Sequence, residues 1–229
     1  MNTKSLEFFY QKYELNEKQK QQYQDYLQLI QEYNKVMNLT GIDDEYGVYL
    51  KHYYDSLLIE PYIKKSGLLI GDLGSGAGFP GIVLAIYYPQ NVFHLIEPLQ
   101  KRCKFLQIVV EKLKLQNVQI INKRAEELTL ETYDIVTSRA VAKLNILLEL
   151  AIPLVKTQGT FIALKGANAL AEVELSQNAL SLLNSKIETI QEETIPDELA
   201  KRYNLVIKKE KPTNKKYPRN YGQIKKKPL

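Results

Sequence analysis

The run Leu68-Leu69-Ile70-Gly71-Asp72-Leu73-Gly74-Ser75-Gly76-Ala77-Gly78-Phe79-Pro80-Gly81 places an acid near the end of an apolar stretch and then glycines at alternate positions. Glycines so spaced let a backbone turn sharply and approach a ligand without Cβ interference, and Pro80 suits the opening of a helix, where its missing N–H is no loss. The free N–H groups at that helix start are expected to face the ligand. Glu97 follows about 20 residues beyond the loop, where a carboxylate can accept hydrogen bonds from both hydroxyls of a ribose. Arg124, Ala125 and Glu126 offer an edge for an adenine ring, and Ser138, Arg139, Lys165 and Gly166 add polar or small groups further along.

A scaffold must bring these residues to one rim. From residue 68 onward, strand and helix patterns alternate: strands at 68–73, 92–96, 118–121, 133–137 and 160–164, with helices at 81–88, 101–115, 143–155 and 169–183. Two more extended runs, 186–192 and 203–208, have no helix pattern between them and read as an antiparallel closing pair. Each candidate residue then stands just past the carboxyl end of a parallel strand, the ligand side of a doubly wound sheet. Ahead of the sheet, Asn16 to Gln19 resembles a capping box, a helix is expected over 17–37 and another over 44–58, so the first 65 residues read as an all-helical extension. His52 and Asp55, three apart on one helical face, read as a local polar pair anchoring that extension.

The chain has 229 residues, with 31 Lys and Arg against 26 Asp and Glu for a net charge of +5. Between Lys201 and Leu229 eleven of those bases face one acid, Glu210, so the excess lies wholly in the last segment and the rest is net acidic. A basic tail on an acidic body suits a polyanion such as RNA. No apolar run reaches the roughly 18 residues of a membrane span, and no signal-peptide core follows Met1, so a soluble, cytoplasmic protein is expected. Cys103, the single cysteine, falls in an apolar helix face and reads as a buried small residue; no Cys/His cluster has metal-ligand spacing.

Gly76 to Gly81 formally matches the dinucleotide pattern G-x-G-x-x-G, which keeps a nicotinamide-linked oxidoreductase open, and a non-catalytic RNA-binding module fits the charge alone. No G-K-[ST] follows the loop, against a P-loop. The acid-x-Gly-x-Gly-x-Gly order and seven strands closed by a hairpin fit the Rossmann-like sheet of class I S-adenosylmethionine-dependent methyltransferases better: α/β, a mixed sheet with helices on both faces. The strand-4 end lacks the Asn/Asp-Pro-Pro-aromatic clamp used on exocyclic adenine amines. No cysteine is placed to attack a pyrimidine carbon. Guanine N7 already carries an unshared pair, so it needs positioning and no general base.

Asp72 to Gly81, Arg124-Ala-Glu-Glu127, Ser138-Arg-Ala140, Leu164-Lys-Gly166, Met37-Asn-Leu-Thr40, His52-Tyr-Tyr-Asp-Ser-Leu57, Tyr217-Pro-Arg219 and Lys227-Pro-Leu229 together resemble the bacterial small-subunit rRNA guanine-N7 methyltransferase family, also called glucose-inhibited division protein B. Glu97-Pro98-Leu99 stands where Asp-Ser-Leu is usual, and Asn220 to Ile224 where Pro-Gly-x-Pro is common. The resemblance implies S-adenosylmethionine as donor, guanine N7 of 16S rRNA in the small subunit or its assembly intermediate as acceptor, and a cytoplasmic monomer. It implies donor contacts at Gly74, Phe79, Ala125, Glu126 and Arg139, to which the residue reading adds Asp72, Gly76 and Glu97. Arg139 is the expected positioning residue, holding a donor carboxylate or the guanine, and Phe79 or Tyr221 is a candidate stacking partner for the base. Lys101, Arg102, Lys104, Lys165, Lys215, Lys216, Arg219, Lys225, Lys226 and Lys227 are expected on RNA phosphates. The expected units are 1–65, 66–210 and the basic tail 211–229.

Overall fold

The computed structural model describes residues 3–195 and 201–229; Met1, Asn2 and residues 196–200, which fall between the two closing strands, lie outside the described residues. After α1 (Thr3–Lys12), Asn16 opens α2 (Glu17–Met37) with the capping box its sequence predicts: the Gln19 N–H donates to Asn16 Oδ1 at 3.0 Å, and the Asn16 N–H to Gln19 Oε1 at 3.1 Å. The helix expected over 44–58 is in three pieces: α3 (Glu45–Gly47), a π-helical stretch Val48–Tyr54, and α4 (Asp55–Leu57). The Asp55 N–H reaches back to Leu50 O, one residue further than in an α-helix. Such widened turns often accompany functional sites, and this one carries His52.

The remaining elements are β1 (Leu69–Leu73), α5 (Gly81–Tyr87), β2 (Val92–Ile96), α6 (Gln100–Lys112), β3 (Val118–Ile121), β4 (Tyr133–Arg139), α7 (Leu144–Ala151), β5 (Val155–Lys165), α8 (Ala169–Glu174), α9 (Gln177–Leu182), β6 (Ser185–Thr194), β7 (Lys201–Lys209) and α10 (Tyr221–Lys226). The seven strands form one sheet in the order β3-β2-β1-β4-β5-β7-β6. Strands β1 to β5 pair in parallel, while β7 runs antiparallel to both β5 and β6, as the closing hairpin predicts. Element boundaries differ from expectation in several places, and α6 ends at Lys112 instead of residue 115. β4 extends through Ser138 and Arg139, which therefore belong to the strand and not to the loop after it. β5 begins at Val155, and a short 3₁₀ turn, Ile152–Leu154, replaces the end of the helix expected over 143–155. The helix expected over 169–183 is broken where the Ser176 hydroxyl donates to Glu172 O at 2.6 Å.

Alternate residues of each strand feed two cores. Ile162 and Leu164 of β5 pack with β1, β2, α5, α6 and the N-terminal helices, whereas Phe161 and Ala163 pack with α7, α9 and α10 on the other face. The N-terminal helices thus cover one face of the sheet. Buried Tyr23 donates its hydroxyl to Val83 O at 2.9 Å, and buried Tyr26 donates to Ala77 O within the glycine loop. Phe9, Tyr23, Tyr26, Tyr49 and Tyr53, all fully buried, form the centre of that layer through tilted and edge-on ring contacts and the stacked pair Tyr26–Tyr53.

Candidate active site: two cavities at the strand ends

The glycine loop leaves β1 with Gly74 at φ +73° and Gly78 at φ +99°, conformations costly for other residues. A Cβ on Gly74 would also run into Val141, and one on Gly78 would lie 2.5 Å from the Tyr26 hydroxyl. Asp72 is fully buried and fastens the loop from below. Its carboxylate accepts from the Gly81 N–H at 3.1 Å and from the Thr137 hydroxyl at 3.3 Å. Burial pushes its pKa up to about 6, against the pull of its bonds to Ser75, Gly81 and Thr137. The first N–H of α5 is therefore taken by Asp72, and the helix start does not face a ligand as its sequence suggests.

Glu97, at the end of β2, is 1 % exposed. It accepts from the Gly76 N–H at 3.0 Å through Oε2 and from the Leu99 N–H at 2.8 Å through Oε1, with Arg102 3.7 Å away. Each oxygen keeps a lone pair for a ligand hydroxyl. Around this carboxylate opens a cleft of about 370 Å³, within the roughly 300–1,000 Å³ typical of small-molecule sites. Gly74, Ala125, Glu126, Ala140, Leu150 and Tyr221 are among its walls.

A second cavity, about 540 Å³, lies beside the first. Ala140 and Val141 line both. Ala140 has φ +57°, a left-handed conformation for a residue with a Cβ, at the one stretch that separates the two spaces. The second cavity is lined by Lys51, His52, Asp55, Arg139, Lys165 and Arg202, with Lys143 and Glu172 at its edge. Arg139 donates to Asp55 Oδ2 at 2.9 Å and to Lys51 O at 3.1 Å, and its guanidinium lies 4.9 Å from the centre of the Phe79 ring. Arg202 holds the other Asp55 oxygen at 3.2 Å.

Arg139 Nη2 stands 3.2 Å from His52 Nδ1; a guanidinium only donates, so in that contact Nδ1 accepts and the ring proton sits on Nε2, 2.8 Å from Thr40 Oγ1, whereas the Lys51 carbonyl, 3.1 Å from Nδ1, is the acceptor for the opposite tautomer. Burial, reinforced by the Arg139 charge, pushes the His52 pKa down to about 3. The unfolded chain protonates His52 near pH 6.5 and the folded chain does not, so this group's contribution to stability falls as pH drops below 6.5. Between pH 7 and pH 5 the loss is about 2 kcal/mol. Asp72 acts in the opposite sense, since its raised folded pKa favours the native state as pH falls from about 6 toward 4. Urea unfolding of the chain and of His52→Gln at both pH values isolates the histidine, because Asp72 is common to both. The variant is expected to lose about 2 kcal/mol less on acidification, and equal losses would show that His52 titrates normally in the fold.

The site residues expected from sequence separate into distinct places. Gly74, Glu97, Ala125 and Glu126 converge on the first cleft, joined by Arg102, which had been assigned to RNA phosphates. Gly76 serves the cleft indirectly, through its bond to Glu97. Asp72 lines neither cavity, being spent on the loop. Phe79 lines neither as well: it is 6 % exposed, stacked on His52 at 4.3 Å, with the Arg139 guanidinium 4.9 Å from its ring centre. Arg139 lines the second cavity and is not among the lining of the first, although its neighbour Ala140 lines both. Lys165 is paired with Glu172 at 2.7 Å and donates to Ala142 O at 2.7 Å, and Arg219 is locked to buried Glu149 at 2.6 Å; neither is a free cation for RNA. Lys101 donates to Val36 O at 3.2 Å, while Lys215, Lys216, Lys225, Lys226 and Lys227 are exposed. Cys103 is buried on α6, its thiol donating to Glu97 O at 3.1 Å.

Sequence reading missed Arg202 and the reach of His52 and Asp55. Because β7 is antiparallel, its first residues, not its last, lie at the rim where β5 ends: Tyr203 pairs with Lys165. His52 and Asp55 are more than a local pair, since both bind Arg139 and so tie the N-terminal helices to β4.

Solved structures share this architecture. M. jannaschii TYW2 in complex with AdoMet superposes with a TM-score of 0.56 at 18 % identity, over 73 % of this chain and 77 % of that one. Precorrin-6y C5,15-methyltransferase from Geobacter metallireducens gives 0.51 at 16 % identity, over 68 % and 87 %. The reversed seventh strand, the glycine loop after β1 and the acid after β2 define a class I S-adenosylmethionine-dependent methyltransferase. The model of the rRNA small subunit methyltransferase G family matches residues 19–203, and the chain belongs to that family. It is 43 % identical over 222 residues to ribosomal RNA small subunit methyltransferase G of Staphylococcus carnosus (strain TM300), and 42 % over 221 residues to that of Staphylococcus aureus (strain JH9), each covering 94 % of this chain and 92 % of the relative. It is an enzyme that uses S-adenosylmethionine, which sets aside both the nicotinamide and the non-catalytic alternatives. No described helix is long and apolar enough to cross a membrane.

Proposed function

We propose that this chain transfers a methyl group from S-adenosylmethionine to N7 of one guanine in 16S rRNA, acting as a cytoplasmic monomer on the small subunit or its assembly intermediate. The observation that carries it is the pair of cavities that share Ala140 and Val141 in their walls. One is a ribose-and-adenine cleft; the other is rich in fixed cations and donors.

The cleft fits the donor by its chemistry. Glu97 has lone pairs to spare for two hydroxyls, Gly74 permits close approach, and Ala125, Leu150 and Tyr221 offer apolar surface. When bound there, S-adenosylmethionine supplies an electrophilic sulfonium methyl. The chain's own work is placement. Arg139, held by Asp55 and His52, presents its guanidinium in the second cavity, where it can donate to guanine O6 and leave N7 directed at the partition. No base is needed, and neutral His52 and paired Lys165 are in keeping with that. Residues 1–65 serve as the layer that carries the Arg139 clamp, 66–210 as the methyltransferase core, and 211–229 as a basic segment.

The exposed lysines of that segment contact phosphate. Reversing Lys225, Lys226 and Lys227 to Glu is expected to weaken rRNA binding and make the log–log salt slope shallower by about 2, counting roughly 0.7 per lost phosphate contact. An unchanged slope in filter-binding titrations would remove those lysines from the RNA surface. The function itself is tested by mass mapping of 16S rRNA nucleotides from cells with and without the protein. One N7-methylguanosine is expected to disappear in its absence; loss of methylation at another atom or base would overturn the reading.

A further inference from the structure

We propose that the C-terminal segment is a wall of the donor cleft, and that Tyr221 is a positioning residue whose ring holds the adenine of S-adenosylmethionine. The inference rests on the reading of the first cavity as the donor cleft. Tyr221 had been a candidate for stacking the target base; the structure places it on the other side of the Ala140–Val141 partition.

The wall around Glu97 holds aliphatic, polar and charged groups but a single aromatic ring, Tyr221. It lines the cleft together with Glu97, Arg124 and Ala125, the residues expected to meet the ribose and the purine attached to it. Arg124 lies over the ring with its guanidinium carbon 5.9 Å from the centroid, which orients the ring without covering both faces. A flat, half-buried aromatic beside Ala125 is the partner a purine plane calls for.

What makes this a built feature is how the segment is held. Glu149 is the only charged residue in α7, Leu-Asn-Ile-Leu-Leu-Glu-Leu-Ala, and it is 0 % exposed. A carboxylate so placed needs a full set of partners. Arg219 supplies them all: Nε to Oε1 at 2.8 Å, Nη2 to Oε2 at 2.6 Å, and its own backbone N–H to Oε1 at 3.0 Å. Its Nη2 also donates to Lys227 O at 3.0 Å, so one guanidinium ties both ends of the segment. Between these points Asn220 caps α10 by accepting from the Gln223 N–H at 3.0 Å, and Ile224 is fully buried against the core that contains α7. Tyr221 thus lies two residues from the clamp, and Leu150, next to Glu149, lines the same cleft. The one arginine of the tail, counted from its charge as an RNA contact, positions the ring.

Calorimetric titration with S-adenosylhomocysteine tests this without turnover. Tyr221→Phe is expected to bind within about twofold of the parent chain. Tyr221→Leu, which keeps apolar bulk but not the plane, is expected to bind about 10-fold or more weakly, in line with the loss of one base–aromatic stack. S-ribosylhomocysteine, which lacks the base, should bind parent and Leu variant equally, a result that general loosening of the fold would not produce. Thermal unfolding of both variants should match the parent within a few degrees. If Tyr221→Leu binds S-adenosylhomocysteine as tightly as the parent, or loses S-ribosylhomocysteine affinity by the same factor, the assignment of the ring to adenine is overturned while the donor cleft stands. If the parent chain binds neither ligand, the donor reading of the cleft itself falls.

Discussion

Replacing Arg139 by alanine is expected to lower methyl transfer to rRNA by about 10²- to 10³-fold, the usual effect of removing one preorganised donor at a reacting centre. Affinity for S-adenosylhomocysteine is expected to stay within about threefold of the parent, because Arg139 lines the second cavity and not the donor cleft. The fold should survive with a lower melting temperature: Asp55 keeps Arg202 at 3.2 Å but loses Arg139 at 2.9 Å, and His52 Nδ1 loses its donor. Arg139→Lys should rescue little, since an ammonium cannot span Asp55, His52 and the Phe79 face as the planar fork does. Single-turnover assays with calorimetry on the same preparations decide the matter. Undiminished transfer would remove Arg139 from the site, and loss of donor binding in step with transfer would return it to the cofactor.

The second large effect is expected at Glu97, and in the opposite column. Glu97→Ala removes the acceptor of two loop N–H groups and of the proposed ribose hydroxyls together. With hydrogen bonds to a charged acceptor each contributing about 1.5–3 kcal/mol, donor affinity should fall about 100-fold or more. Glu97→Gln should fall less, because one amide oxygen can still accept while the amide nitrogen faces N–H groups. Binding of rRNA, measured without cofactor, should be unchanged in both. A Glu97→Ala chain that binds S-adenosylhomocysteine normally would mean that the cleft holds its ligand without the acid.

Much of this arrangement is legible in the chain because the relevant signals are local. Alternating apolar strands and helices, the capping box at Asn16 and the glycine loop follow from nearest-neighbour chemistry, and the lack of a helix-length sequence pattern between the last two extended runs announces the reversed β7. Residues just past the parallel strands, such as Glu97 and Ala125, fall where the sheet rule puts them. What fails is whatever depends on a distant partner. A run of bases reads as one polyanion surface, yet Lys209 is buried against Glu131 and Val155 O, and Arg219 answers an acid 70 residues earlier. Glu149 was itself the available signal: one acid inside an apolar helix demands a cation from somewhere. The surroundings of Phe79 are hidden for a related reason, since motif position says that the ring is near the loop but not that His52 and Arg139 pack against it. Arg202 escaped because attention to carboxyl ends is misplaced for the one strand that runs backwards.

The hydroxyls of Tyr23 and Tyr26, which end on carbonyls of residues 83 and 77, carry a consequence for biosynthesis. The ribosome releases α2 well before it makes the acceptors for those hydroxyls, and the aromatic layer has no sheet to rest on until β1 and α5 emerge. The first third of the nascent polypeptide therefore reaches its final packing only after the surface it covers has been translated.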